Sequence, residues 1–194
     1  MDNTVTQKSS KKQFFTTKEL TFTALMSVLI IICSWISIPT AVPFTLQTFA
    51  VFFSLVLLGG KCGTFSVLTF LLLGAFGLPV FSEFKGGIGA LFGITGGYIL
   101  GFLLTTIIFW LSESIKMEGW LKILRNAIAM IIGLAACYLF GTLWFMHVYS
   151  INGNSITFMG ALGGCVLPYI AFDLTKLTVA LILGGKLRKM IFKH

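Results

Sequence analysis

Long apolar segments alternate with short polar segments along most of the chain, from residue 20 to residue 184. A helix that crosses a bilayer needs about 20 predominantly apolar residues, and each segment is close to that length. We predict an all-helical membrane protein with six transmembrane helices, at residues 20–38, 43–60, 63–78, 89–111, 126–148 and 160–184. Residues 1–19 are polar and are predicted to form a disordered cytoplasmic arm, which leaves residues 20–194 as one six-helix domain with a short basic tail.

Four glycines recur every four residues in the predicted fourth span: Gly89, Gly93, Gly97 and Gly101. On a continuous helix this spacing makes a stripe without side chains, which lets a second backbone or a ligand approach closely. Ordinary helix packing would explain such a stripe by itself. A proline and two charges in the preceding segment, residues 78–85, favour a binding site beside the stripe.

Composition and charge support the membrane assignment, because 57% of the 194 residues are hydrophobic and only 10% are charged. Twelve of the 14 Lys and Arg residues lie before span one, at Lys61, between spans four and five, or after span six. The loops on the opposite side hold only Lys85. Basic residues concentrate on the cytoplasmic side, so both termini are predicted to be cytoplasmic and the protein to lie in the cytoplasmic membrane. No cleavable leader is expected, since a full-length span follows the basic arm.

Motifs that would indicate catalysis or nucleotide binding are missing from the sequence. The turn Gly59-Gly60-Lys61-Cys62 does not complete a P-loop, and neither H-E-x-x-H nor G-x-S-x-G occurs. The four cysteines are scattered without a C-x-x-C pair and are expected to be free packing thiols. The sequence therefore predicts that the chain is not an enzyme and holds no metal or other cofactor.

Two ionisable residues of the last predicted span, Asp173 and Lys176, are three positions apart and share one helix face. A charge at the bilayer centre costs about 2.5 to 3.5 kcal/mol on insertion scales, so the pair has either a structural or a functional reason. A structural ion pair is one reading. The other is a ligand that both donates and accepts hydrogen bonds, such as a cyclic urea or amide, with the carboxylate accepting N–H and the ammonium donating to C=O.

Other candidate ligand-binding residues lie on the neighbouring spans. Thr45 and Gln47, near the start of span two, and Tyr98 on the glycine-rich span could add directional hydrogen bonds. Phenylalanines of the intervening segments could line an apolar part of the same site, namely Phe44, Phe81 and Phe84.

Five short segments, in this order, resemble a known family, the BioY proteins. They are Val42-Pro43-Phe44-Thr45-Leu46-Gln47-Thr48, Leu57-Leu58-Gly59, Gly74-Ala75-Phe76-Gly77-Leu78-Pro79-Val80-Phe81, Gly93-Ile94-Thr95-Gly96-Gly97-Tyr98 and Asp173-Leu174-Thr175-Lys176. BioY proteins are the biotin-specific substrate-capture (S) components of energy-coupling-factor (ECF) transporters. The resemblance implies a six-helix S-component fold, biotin capture and uptake from an outward-facing pocket, and partners that comprise a membrane scaffold (T) subunit and two cytoplasmic ATPases.

The resemblance also implies that Asp173, Lys176 and the loop between helices three and four hold the fused rings of biotin. In that loop and on the glycine stripe the candidate residues are Phe81, Ser82, Glu83 and Gly97. The chain departs from the family pattern at Ile94, at Ala171-Phe172 and at Ser82-Glu83. The small-xxx-small motif by which the first helix faces the scaffold is reduced to Thr23-xxx-Ser27 or Ala24-xxx-Val28.

Two other functions are compatible with the residues. A self-sufficient carrier could couple Asp173 and Lys176 to protons, and its uptake would persist without any ATPase. A non-transporting assembly or scaffold protein would bind no vitamin.

Overall fold

The structure is a computed structural model and describes residues 14–40 and 42–192. The predicted cytoplasmic arm therefore lies mostly outside the described residues. The described part contains eight α-helices: α1 (Thr17–Trp35), α2 (Gln47–Leu58), α3 (Gly60–Ala75), α4 (Ile88–Leu91), α5 (Gly96–Ser112), α6 (Gly119–Ile151), α7 (Phe158–Cys165) and α8 (Leu167–Ile191). Two short strands, β1 (Ser37–Ile38) and β2 (Phe44–Thr45), form an antiparallel pair, and Ser82–Phe84 form a 3-10 turn.

Three of the helices, α1, α6 and α8, are long and apolar enough to cross a membrane, and α2, α3 and α5 are shorter apolar helices. Helix α2 is the centre of the bundle, because nearly every residue from Gln47 to Leu57 is buried. An apolar helix that is covered on all sides fits such a position. It packs against α1, α3, α5 and α8, which places its first turn in the interior.

Helix α1 begins earlier than predicted because a capping box forms at its start. The Thr16 hydroxyl accepts a hydrogen bond from the Glu19 amide at 3.2 Å, and the Glu19 carboxylate accepts one from the Thr16 amide at 2.8 Å. These bonds satisfy two backbone donors that the helix would otherwise leave open. The helix therefore starts at Thr17, inside the predicted arm.

Two predicted spans are broken helices, which corrects the expectation that each would be continuous. The fourth divides into α4 and α5, because the chain is irregular between Phe92 and Thr95. The sixth divides into α7 and α8 at Val166, just before Pro168. Proline has no amide hydrogen to donate to the preceding turn, so it favours a helix start.

The second predicted span also starts late. Thr45 pairs with Ser37 and Phe44 with Ile38 in the short antiparallel ladder, so helix α2 begins only at Gln47. Thr45 is thus an extended residue that projects its backbone carbonyl toward the bundle, rather than a helical residue.

The break in the fourth span also corrects the predicted glycine stripe. Gly97 and Gly101 pack against α6, where a Cβ atom added to them would lie 2.3 Å from Trp144 Cβ and 2.7 Å from Cys137 Sγ. Gly89 instead lies on the separate helix α4, and no atom stands within 4 Å of the position of its Cβ. The prediction of one four-glycine face is therefore wrong, since the helix does not continue through all four positions.

Helix α6 contributes a matching set of small residues to this interface. A Cβ at Gly133 would lie 2.8 Å from Thr105 Cγ2, and a Cβ at Gly141 would lie 2.2 Å from Tyr98 Cδ1. Each helix therefore supplies glycines where the other supplies side chains, which allows the two backbones to approach closely.

A polar seam joins α1 and α3. The Ser27 hydroxyl donates to the Ser66 carbonyl at 3.0 Å, and the Ser66 hydroxyl donates to the Thr23 carbonyl at 3.0 Å. Thr23 and Ser27 are therefore buried inside the bundle, while Ala24 and Val28 remain on the exposed face of α1. Of the two alternative small-residue motifs, only Ala24-xxx-Val28 is free to meet another protein.

Described segments that were predicted to be cytoplasmic meet at one end of the molecule. The Gly60 amide donates to the Glu113 carboxylate at 2.9 Å, which ties the α2–α3 turn to the end of α5. Arg188 of α8 donates to the Val56 carbonyl at 3.1 Å, and Lys18 of α1 donates to the Ile191 carbonyl at 3.4 Å.

We expect Gly97→Leu and Gly101→Leu to destabilise the protein, because a side chain at either position must push α5 away from α6. Overpacking of this kind costs about 1 to 3 kcal/mol. The measurement is thermal unfolding in detergent. Gly185→Leu is the matched control, since Gly185 is helical and has no atom within 4 Å of its added Cβ. Equal melting temperatures for Gly101→Leu and Gly185→Leu would contradict this packing.

Candidate functional site

A cavity of about 70 Å³ opens between α2, α5, α6 and α8, beneath residues 42–45. The polar and charged groups on its wall are Thr45, Gln47, Thr48, Ser82, Thr95, Tyr98, Tyr138, Tyr169, Asp173 and Lys176. Its apolar wall includes Phe44, Ile99, Phe102 and Leu134.

A buried ion pair forms the floor of this cavity. Lys176 Nζ lies 2.8 Å from Asp173 Oδ1, and both residues are almost inaccessible to solvent, at 9% and 5% exposure. The other carboxylate oxygen, Asp173 Oδ2, accepts a hydrogen bond of 2.5 Å from the Tyr138 hydroxyl. Lys176 also donates to the Thr45 carbonyl at 2.7 Å. The cluster therefore connects α8 with α6 and with the strand pair.

Local structure explains why these groups meet. Asp173 and Lys176 are three residues apart on α8, so their side chains leave the same face of the helix. The strand pair holds Phe44 above them, with the Lys176 ammonium 3.9 Å from the centre of the Phe44 ring. The Phe44 ring in turn stacks on Tyr169 at 5.7 Å. The ammonium is thus held by a carboxylate, a carbonyl and an aromatic face.

Gln47 carries a buried polar group of the cavity that lacks a partner. It is 4% exposed, and its Nε2 atom is the one buried side-chain nitrogen or oxygen without a hydrogen bond among the residues that the structure describes. An unsatisfied buried donor costs about 1 to 3 kcal/mol. A ligand acceptor placed in the cavity would remove this cost.

The structure brings most of the predicted site residues to the cavity. Six of the nine candidates line it: Thr45, Gln47, Ser82, Tyr98, Asp173 and Lys176. The Tyr98 hydroxyl is already hydrogen-bonded to Thr142 at 3.1 Å, so this residue presents mainly its ring.

The other three candidates lie elsewhere. The Phe81 ring is buried against Gly74 and meets the Phe70 ring edge-on at 5.3 Å, so it belongs to the hydrophobic core behind the site. Gly97 faces Trp144 in the α5–α6 interface. Glu83 lies at the surface beside the cavity, paired with Lys85.

Sequence reasoning missed Tyr138, which holds Asp173, and the cavity residues Thr95 and Tyr169. A signal for Tyr138 was present, because Gly133, Cys137 and Gly141 recur every four residues and mark the face of α6 that meets α5. Tyr138 lies beside that face. The four cysteines are buried and unpaired as predicted, and the described residues contain no group of His, Cys, Asp and Glu that could hold a metal ion.

The chain is similar to proteins of known name over nearly its whole length. The sequence model of the BioY family matches residues 6–193. The biotin transporter BioY of Thermotoga maritima is 40% identical over 174 residues, which cover 89% of this chain and 97% of that protein. The probable biotin transporter BioY of Pyrococcus horikoshii is 36% identical over 172 residues, with coverage of 88% and 96%.

The fold is also similar to that of a solved structure, the S-component for biotin from an ECF-type ABC transporter. The TM-score is 0.76 at 29% sequence identity, and the match covers 89% of this chain and 91% of the other. The fold is therefore that of an S-component, which agrees with a multi-pass membrane protein of apolar helices. Together with the family match, these relatives confirm the resemblance found in the sequence, and the chain belongs to the BioY family.

Proposed function

We propose that this chain captures biotin at its cavity and takes it up across the cytoplasmic membrane as the S component of an ECF-type transporter. The observation that carries the proposal is the unpaired amide of Gln47, which lines the same cavity as the buried Asp173–Lys176 pair. The names of the relatives and of the structural neighbour support it, and they are names of transporters rather than enzymes.

The cavity groups match the ureido ring of biotin, which offers two N–H donors and one C=O acceptor. Asp173 accepts a ureido N–H, because its carboxylate has lone pairs beyond those used by Lys176 and Tyr138. The three ammonium protons of Lys176 face Asp173, the Thr45 carbonyl and the Phe44 ring. The buried donor left for the ureido carbonyl is therefore Gln47 Nε2, and Lys176 acts mainly by holding the Asp173 carboxylate in place.

The apolar part of the ligand has its own wall. Phe44, Ile99, Phe102 and Leu134 lie on the cavity surface between the polar groups. Apolar side chains with a few well-placed polar groups are typical of small-molecule sites. These residues would contact the sulfur-containing ring and the first part of the acyl tail.

In the membrane, we propose that the six apolar segments all cross the bilayer, two of them as broken helices, with both termini cytoplasmic. Residues 1–19 would be the cytoplasmic arm and residues 20–194 the biotin-binding domain. The distribution of basic residues supports this orientation, as does the meeting of the α1 start, the Gly59–Lys61 turn and the α8 end. Irregular backbone at membrane depth is tolerated where it lines a cavity, and both helix breaks lie beside cavity residues.

The sequence contains no P-loop with which this chain could bind ATP to supply the energy for uptake. We propose that a membrane scaffold (T) subunit and two cytoplasmic ATPases supply it. The exposed face of α1 with Ala24 and Val28 is available for the scaffold.

Asp173→Asn is expected to lower biotin affinity by roughly tenfold to 150-fold, equivalent to about 1.5 to 3 kcal/mol for a lost charge-assisted hydrogen bond. Lys176→Met is expected to lower biotin affinity as well, because Asp173 then loses the ammonium that holds its carboxylate in place. Each single variant also leaves a buried charge unpaired and loses thermal stability. The double variant should recover stability but not binding. The experiment is a double-mutant cycle with equilibrium biotin binding and thermal unfolding as separate measurements. Native-like binding by the double variant would make the pair purely structural.

Gln47→Met removes the orphan donor while it keeps a side chain of similar length. A neutral hydrogen bond contributes about 0.5 to 1.5 kcal/mol, so biotin should bind roughly two- to tenfold more weakly. The empty protein should be at least as stable as the parent, because an unsatisfied buried amide has been removed. Calorimetric titration and thermal unfolding give the two values, and unchanged affinity would place Gln47 outside the site.

Topology is tested by thiol labelling in intact cells with an impermeant reagent. The native cysteines Cys33, Cys62, Cys137 and Cys165 are buried and are replaced by alanine in the background protein. A new cysteine at Asn154, in the turn between α6 and α7, should be labelled, and one at Met190 should not. Labelling at both positions, or at Met190 alone, would contradict the proposed orientation.

A further inference from the structure

A second depression, here called the outer groove, adjoins the cavity at the surface. The two spaces share Pro43, Ser82, Thr95 and Ile99 on their walls, so one leads into the other. Beyond this junction the groove is lined by the charged residues Glu83 and Lys85 and by backbone around Gly93. A ligand with its ring in the cavity can therefore extend its tail past Ser82 and Thr95 toward these two charges.

Glu83 and Lys85 offer both signs of charge in this groove. Lys85 Nζ lies 2.5 Å from Glu83 Oε2, and the side chains are 61% and 36% exposed. An exposed ion pair contributes little to stability, so either member can exchange its partner for a charged ligand group at little cost. The pair is thus available to charged groups of a ligand that extends out of the cavity.

The backbone around the pair is held in an uncommon conformation. Glu83 and Phe84 both have positive φ values, 58° and 57°, which non-glycine residues seldom adopt. The Phe81 amide donates to the Lys85 carbonyl at 2.9 Å, and the Phe84 ring packs on Trp35 at 5.1 Å, which keeps this turn in place. Such strained residues concentrate at ligand sites, and here they direct Glu83 to the groove.

We propose that the site also takes biotin amides whose tail ends in an amino-acid zwitterion, of which N6-biotinyl-lysine is the simplest. This inference rests on the proposed function, because it requires the ureido ring to lie at Asp173 and Gln47. The α-carboxylate of the lysine then pairs with Lys85, and its α-ammonium pairs with Glu83. The hydroxyl groups of Ser82 and Thr95, at the junction, face the amide bond of the tail.

The charges of the groove explain why a biotin amide that ends in a zwitterion fits it better than a simple anion does. The carboxylate of free biotin is attracted by Lys85 but repelled by the adjacent Glu83, so the groove provides it with little net attraction. A zwitterion satisfies both charges at once. Glu83 therefore extends the substrate range toward amides that release lysine or short peptides on hydrolysis.

The test compares four ligands on the purified full-length protein by calorimetric titration. They are biotin, N6-biotinyl-lysine, 6-(biotinylamino)hexanoate, which lacks only the α-amino group, and biotinyl-pentylamine, which lacks only the α-carboxylate. The protein variants are Glu83→Gln and Lys85→Gln. Glu118→Gln and Lys116→Gln, at exposed positions of the α5–α6 connector, are the matched controls.

N6-biotinyl-lysine should bind the native protein within about tenfold of biotin. Loss of the α-amino group should weaken binding about two- to fivefold in the native protein and the controls, and should have no effect in Glu83→Gln. Loss of the α-carboxylate should likewise weaken binding about two- to fivefold in the native protein and the controls, and should have no effect in Lys85→Gln.

Binding of N6-biotinyl-lysine more than tenfold weaker than that of biotin, or an amino-group effect that persists in Glu83→Gln, would overturn this inference and leave biotin capture intact. Failure of biotin itself to bind would overturn the proposed function and this extension together.

Discussion

The buried ion pair of Asp173 and Lys176 is the interaction on which the candidate site depends. Two charges removed from water are tolerated only when further hydrogen bonds support them, and here Tyr138 and the Thr45 carbonyl supply such bonds. Because these partners come from α6 and from the strand pair, the cost of burying the charges is met only when all three elements are in place. The same contacts that neutralise the pair therefore also shape the floor of the cavity.

Close packing of α5 on α6 forms the cavity wall that faces α8. The glycines of each helix receive side chains of the other, so the Tyr98 ring packs onto Gly141. Tyr138, which follows Cys137 on α6, instead points toward Asp173. The backbone break at 92–95, before α5, and the break at Val166, before α8, lie beside the cavity and open space that continuous helices would fill. Helix packing and site geometry are thus two results of one interface.

The site contains one buried polar group without a hydrogen-bond partner and one ion pair at the surface. The amide of Gln47 has no protein partner, and the Glu83–Lys85 pair is exposed in the outer groove. An unfilled donor lowers the stability of the empty protein and raises the gain from a ligand that fills it. This arrangement suits a protein that captures its substrate by binding.

The sequence by itself determined the class of the protein, the apolar segments, the charge asymmetry and the position of Asp173 and Lys176 on one helix face, because hydropathy and helical spacing are local properties of the chain. It also carried the motifs of the BioY family, which the relatives confirmed. Only the tertiary structure decided that Tyr138 holds Asp173, that Phe81 and Gly97 lie outside the cavity, and that the four-glycine stripe is interrupted. These facts depend on which distant segments meet, and on backbone breaks that are stabilised by neighbours such as Trp144, whose indole donates to the Gly93 carbonyl at 3.0 Å. No periodicity within one segment can record such contacts.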